Sequence, residues 1–135
     1  MGLVDDNKKM YSENSNYIIK LNYTDLFKKG DYIRIKKNKK TKNCSNKLGF
    51  LKIYAQWCQH CHSIENEIKF ISNELNQNKF CVFVLDCAEI PPDENQKFLD
   101  MMGISGYPSF FMVNNYKLEQ VDINNREIDG FLLKI

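Results

Sequence analysis

Phe50-Leu51-Lys52-Ile53-Tyr54-Ala55-Gln56-Trp57-Cys58-Gln59-His60-Cys61 is a strand that breaks into the start of a helix. Phe50 to Tyr54 is apolar but for Lys52 and has strand composition. After Cys61, Ile64, Ile68, Ile71 and Leu75 recur at spacings of four, three and four, one stripe of a helix. Cys58 therefore stands where free N–H groups and the helix dipole favour an anion, which suits a thiolate near neutral pH. Cys61, one turn on, lies on the same side and can attack a mixed disulfide formed at Cys58. A core helix needs nothing at that spacing, whereas two-step disulfide exchange does. His60, between the two cysteines, would stabilise the thiolate and make the disulfide more oxidising; an exposed surface histidine is the plainer alternative.

Working outward, Tyr17 to Leu21 reads as a first strand, and Thr24-Asp25 as the cap of a short helix through Lys29 that stops at Gly30. A strand at Tyr32–Ile35 and a loop to Gly49 follow. Phe80 to Leu85 is an unbroken apolar run, as in a central strand covered on both faces. Pro91-Pro92-Asp93-Glu94 starts a helix that carries Phe98, Leu99 and Met102 and ends at Gly103. Phe110–Val113, a turn at Asn114-Asn115 and Leu118–Ile123 form a hairpin. Ile128, Phe131, Leu132 and Ile135 line a last helix. The order predicts one mixed α/β sheet flanked by helices on both faces. Residues 1–16 are expected to be a disordered tail, and 17–135 a single monomeric domain with a basic loop at about 34–47.

The chain has 135 residues and a net charge of +2. Lys28 to Lys47 holds nine basic residues and one acid, so the remainder is acidic. A solvated lysine-rich loop explains this most simply, but a weak anionic partner at Lys36–Lys42 is the alternative. No apolar run approaches a membrane span, and residues 1–16 lack the apolar core of a signal peptide. An intracellular, reducing setting is the default expectation. The odd cysteine set, Cys44, Cys58, Cys61, Cys81 and Cys87, then argues against a disulfide scaffold and for chemistry at one pair. Cys81 is expected to be an inert core residue and Cys87, at a strand end, a candidate for oxidation. Cys58-x-x-Cys61-His62 also fits haem attachment, which belongs to helical proteins rather than to a buried strand. Zinc lacks a second ligand pair, so no metal is expected. A CxxC kept only for structure remains a third alternative.

Tyr54 to Cys61 resembles the thioredoxin superfamily, closest to the catalytic domains of protein disulfide isomerases with their WCGHC motif. Gly106-Tyr107-Pro108-Ser109 resembles the family's GYPT segment, and Val121 to Phe131 its final strand and helix. The resemblance implies a thioredoxin fold and a thiol–disulfide oxidoreductase acting on protein thiols and disulfides, with a recycling redox partner. It implies no cofactor beyond the Cys58–Cys61 disulfide. Cys58 would attack and Cys61 resolve. Trp57 would pack beside the site, Pro108 would be cis, and Tyr107 would pair with an extended substrate by strand addition. Arg126 stands near a mobile arginine of isomerase domains. Departures are Gln59 for glycine, Asn66 for a helix proline, Asn124 for glycine, and Lys52 where the family usually buries an acid. Buried, Lys52 tends to lose its proton and would serve as a base or hold Cys61 as thiolate; the alternative is that its amine reaches water. A binding module anchored by the basic stretch is the competing function.

Overall fold

A computed structural model describes Tyr11, residues 18–63, Glu65, Ile68, Lys69, Ser72 and residues 79–121; the side chains of His60, Ser63, Gln120 and Val121 lie outside that set. The elements are β1 (Ile18–Leu21), β2 (Leu26–Lys29), β3 (Tyr32–Ile35), β4 (Leu48–Tyr54), α1 (Gln59–Ser63), β5 (Phe80–Asp86), α2 (Pro92–Met102), β6 (Ser109–Asn114) and β7 (Lys117–Val121). Single 3₁₀ turns occupy Tyr23–Asp25, Lys42–Cys44 and Cys87–Glu89. The seven strands form one mixed sheet in the order β1-β5-β4-β6-β7-β3-β2. β4 lies parallel to β5 and antiparallel to β6.

Strand alternation sends β4 side chains to two separate cores. Leu51 and Ile53 join Phe83, Leu85, Phe111 and, from α2, Phe98 and Met102. Phe50 and Tyr54 join Val82, Val84, Phe110 and, from the α1 side, Cys61 and Ile68. Helical residues thus cover both faces, and Lys52 belongs by alternation to the Cys61 face. Gly49 of β4 pairs with Cys81 of β5, and an added Cβ would lie 2.8 Å from the Cys81 carbonyl oxygen. Backbone cannot yield as a flexible side chain can, so Gly49→Ala is expected to destabilise by about 1–3 kcal/mol. The urea midpoint measures this; an unchanged midpoint would mean that β4 and β5 separate without penalty.

The predicted helix from Thr24 to Lys29 is not formed. Asp25 does cap, accepting the Asn22 N–H at 2.8 Å, but it closes only the 3₁₀ turn. Leu26–Lys29 then pairs with Tyr32–Ile35 as a hairpin, with Gly30 in the left-handed region at φ 63°. A six-residue helix is too short to hold itself, whereas the hairpin extends a sheet. The expected loop at 34–47 therefore starts in β3, and its remainder is pinned. The Tyr116 hydroxyl donates to the Thr41 carbonyl at 2.7 Å, and Lys40 Nζ pairs with Asp25 at 2.9 Å. Burial alone would raise the Asp25 carboxyl, but Lys40, the Asn22 N–H and Asn38 outweigh it and hold the group below its usual range.

The cysteine expectation also needs correction: Cys44 and Cys81 form a disulfide. It ties the 3₁₀ turn of the basic segment to the central strand β5, and both residues are buried. Cys81 is in the core but bonded, and neither residue is available as a metal ligand. Among the described residues, no helix is long and apolar enough to cross a membrane. The last helix, Asn66, Asn124 and Arg126 lie outside the described residues. Of the tail, Tyr11 alone is described, and instead of hanging in solvent it is 1% exposed.

Candidate functional site

β4 ends at Tyr54, and the chain turns through Ala55 to Trp57 before α1 begins at Gln59. The Gln56 peptide is held from both sides. Its N–H donates to Asp86 Oδ1 at the end of β5, at 3.0 Å, and its carbonyl meets His62 Nε2 at 2.6 Å. A carbonyl only accepts, so Nε2 carries the proton. His62, which the sequence suggests only as a haem ligand, is therefore occupied in orienting the turn. The Cys58 N–H donates to the Ala55 carbonyl at 2.9 Å.

Cys58 is half-buried and Cys61 fully buried, and both are thiols in this structure. The Cys61 N–H donates to Cys58 Sγ at 3.3 Å. Burial pushes the Cys61 thiol up to about 12, and the bond to Cys58 adds to this. One sulfur is thus presented to solvent and the other sealed behind it.

Three expected neighbours meet at Cys58. The Tyr107–Pro108 peptide is cis. The Tyr107 carbonyl lies 3.9 Å from Cys58 Sγ. Trp57 is 68% exposed and stands edge-on to the Tyr107 ring, with centroids 5.5 Å apart. The exposed indole leaves an apolar surface beside the half-buried sulfur. His60 lies in α1, but its side chain is outside the described set, as is Arg126.

Lys52 is fully buried. Its Nζ donates to the Cys61 carbonyl at 2.8 Å and to the Tyr11 hydroxyl at 2.7 Å. Burial lowers its pKa to about 8, while Cys61, Glu65 and Cys58 pull the other way. The alternative in which the amine reaches water is not what the structure has.

One participant was missed by the sequence reading, and another is placed differently. Tyr11 is a single aromatic in a polar stretch, with no periodicity to mark it. Cys87 is 1% exposed and meets the Tyr107 hydroxyl. Burial raises its thiol to about 11, and the tyrosine bond only partly counters that. The thiol is thus closed to the oxidation for which its place at a strand end made it a candidate.

The sequence matches the thioredoxin family over residues 26–133. This chain belongs to the thioredoxin family. The thioredoxin domain is 30% identical over 70 residues to the thioredoxin domain-containing protein 5 homolog of Drosophila melanogaster, which is half of this chain and 16% of that protein. The chain thus spans about a sixth of that relative. Its fold is similar to spinach chloroplast thioredoxin f in the long form, with TM-score 0.61 and 18% identity over 88% of this chain and 84% of the other. It is also similar to the J-Trx1 fragment of ERdj5, with TM-score 0.54 and 18% identity over 87% and 50%.

Proposed function

We propose that this thioredoxin domain exchanges disulfides with protein substrates through Cys58 and Cys61. The observation that carries the reading is a half-buried sulfur set above a sealed one, beside the Tyr107–Pro108 backbone. The Cys58 thiolate attacks one sulfur of a substrate disulfide, and the other sulfur leaves as thiolate. Cys61 gives up its proton and attacks Cys58 Sγ, releasing the second substrate thiolate. Two electrons pass to the substrate, and a Cys58–Cys61 disulfide remains for a dithiol partner to reduce. The reverse sequence oxidises a substrate dithiol. The substrate's extended chain pairs with the Tyr107 backbone by strand addition and rests on Trp57. No cofactor is required.

Lys52 is the proton acceptor for Cys61 in this reading. Lys52→Ala is expected to slow release of the mixed disulfide by about 10-fold or more, with first attack little changed. Single-turnover kinetics separate the two steps, and equal effects on both would assign Lys52 to packing.

His60 between the cysteines makes the isomerase-like half of the range the expected one. Titration in glutathione buffers, followed by Trp57 fluorescence and mass spectrometry, tests this. A two-electron transition between roughly −150 and −230 mV fits an isomerase-like or oxidase-like enzyme, and one near −270 mV a reductase. No transition would sink the exchange reading.

A binding module is the second reading, favoured by one observation. A cleft of about 570 Å³ is lined by Arg34, Lys36, Lys37, Asn46 and Tyr116. An anionic partner seated there would make the domain bind heparin at low salt and release it as salt rises. Flow-through at low salt removes that partner.

A further inference from the structure

Among the described residues, the polar and ring contacts of Tyr11 gather around Lys52, which bonds the Cys61 carbonyl. Its hydroxyl accepts from Lys52 Nζ at 2.7 Å, across 41 residues of chain. Its backbone N–H donates to Glu65 Oε2 at 3.0 Å. Its ring stands edge-on to Tyr54, with centroids 5.5 Å apart, and Lys52 Nζ lies 4.8 Å from the Tyr11 centroid and 5.3 Å from that of Tyr54. Tyr11 adopts φ 55°, a left-handed conformation that bulky residues seldom hold unless packing demands it. A residue far ahead in the chain is thus bent to close the side of a buried amine.

We propose that Tyr11 is a positioning residue for Lys52: its hydroxyl holds Nζ against the Cys61 carbonyl while its ring keeps water out, so that the amine stays beside the resolving thiol in both protonation states. The catalytic consequence rests on the exchange reading above; the arrangement itself does not.

The chemistry needs a hydroxyl rather than a ring. A carbonyl only accepts, so the Cys61 carbonyl can accept a hydrogen bond from Lys52 but donates none. A hydroxyl accepts from the ammonium and donates to the lone pair of the neutral amine. When Cys61 passes its proton to neutral Lys52, the thiol becomes thiolate and the amine becomes ammonium, and the Tyr11 bond reverses direction without moving the nitrogen. The groups facing the amine are Tyr11, Tyr54 from β4, Cys58, Cys61 and Glu65. The Glu65 carboxyl is itself held low, because the Tyr11 N–H and Lys69 outweigh its burial. Its negative charge favours the ammonium, and burial opposes it.

The test is a titration of Lys52 by NMR in the full reduced chain carrying lysine labelled at Cε, with the resonance assigned by its loss in Lys52→Met. Tyr11→Phe keeps the ring and removes the acceptor, so Lys52 is expected to titrate about one pH unit below the native chain. Tyr11→Ala opens the site to water, so the midpoint is expected to rise toward the ordinary lysine value of 10.5. Shifts in opposite directions support the assignment. A Phe variant that matches the native chain, or two variants that move together, overturns it. The outcome is independent of turnover. A protein with no exchange activity but opposite shifts loses the proposed function and keeps this arrangement. Where exchange is present, Tyr11→Phe slows mixed-disulfide release and leaves first attack unchanged.

Discussion

Cys58→Ser is expected to lower disulfide exchange by roughly 10³-fold or more, because a seryl hydroxyl is not ionised near neutral pH and forms no disulfide. The neighbouring thiols cannot substitute. Cys61 is fully buried with its thiol at about 12, and Cys87 is 1% exposed with its thiol at about 11. Cys61→Ser should fail one step later. Cys58 still attacks, but nothing resolves the product, so a covalent enzyme–substrate species accumulates on non-reducing gels. A buried serine hydroxyl without a partner costs about 1–3 kcal/mol, so circular dichroism must accompany the assay. Release also carries a pH dependence of its own. Below the Cys61 pKa of about 12 its thiolate fraction grows tenfold per pH unit, so release quickens as pH rises. Retention of a tenth of native activity in Cys58→Ser, or no trapped species in Cys61→Ser, would mean that the pair is not the exchange centre.

The parts of this domain legible in sequence are those fixed by local pattern. The apolar run at 80–85 became β5, and the Pro91-Pro92 start and Gly103 stop bound α2. Cys58, Cys61, Trp57, Tyr107 and Pro108 were named from two short segments, and the fold brings them together because β4 and β6 are adjacent strands. What pattern could not supply was pairing between distant segments. Thr24-Asp25 and Gly30 are sound helix signals, yet the partner strand Tyr32–Ile35 makes a hairpin of the residues between them. The β6–β7 turn falls at Asn115 and Tyr116 rather than at Asn114-Asn115, with φ 46° and 71°. Tyr116 accepts that conformation because its buried ring places its hydroxyl on the Thr41 carbonyl. Tyr11 and the Cys44–Cys81 bond were invisible for the same reason. Each joins a locally featureless segment to the sheet, and an odd set of cysteines carries no mark of which two meet.

Replacing both Cys44 and Cys81 by Ala is expected to destabilise the domain by about 4 kcal/mol, the loop-closure value for a cross-link over this separation. The bond closes a sequence separation of 37 residues and joins the basic segment to the middle of the sheet. Without it, that segment is left with weaker ties. β3 meets β7 at the register pair Arg34 and Lys117, and the Tyr116 hydroxyl holds Thr41. The melting temperature should fall by roughly 10–20 °C, and thermal unfolding followed by circular dichroism reads it. The bond also makes a redox prediction separate from that for Cys58 and Cys61. Both of its sulfurs belong to buried residues, so no thiolate reaches them before the domain opens. A structural disulfide of this kind holds below about −300 mV, where glutathione does not reduce it. In the glutathione titration, mass spectrometry should therefore find Cys44–Cys81 oxidised throughout, while Cys58–Cys61 passes through its transition. Such a bond persists where surroundings are oxidising or where burial protects it, so the reducing setting read from residues 1–16 is no guide to its state. Two transitions at one potential, or a double variant as stable as the native chain, would remove the bond from the stability of the fold and return Cys81 to the inert core residue that its apolar strand suggests.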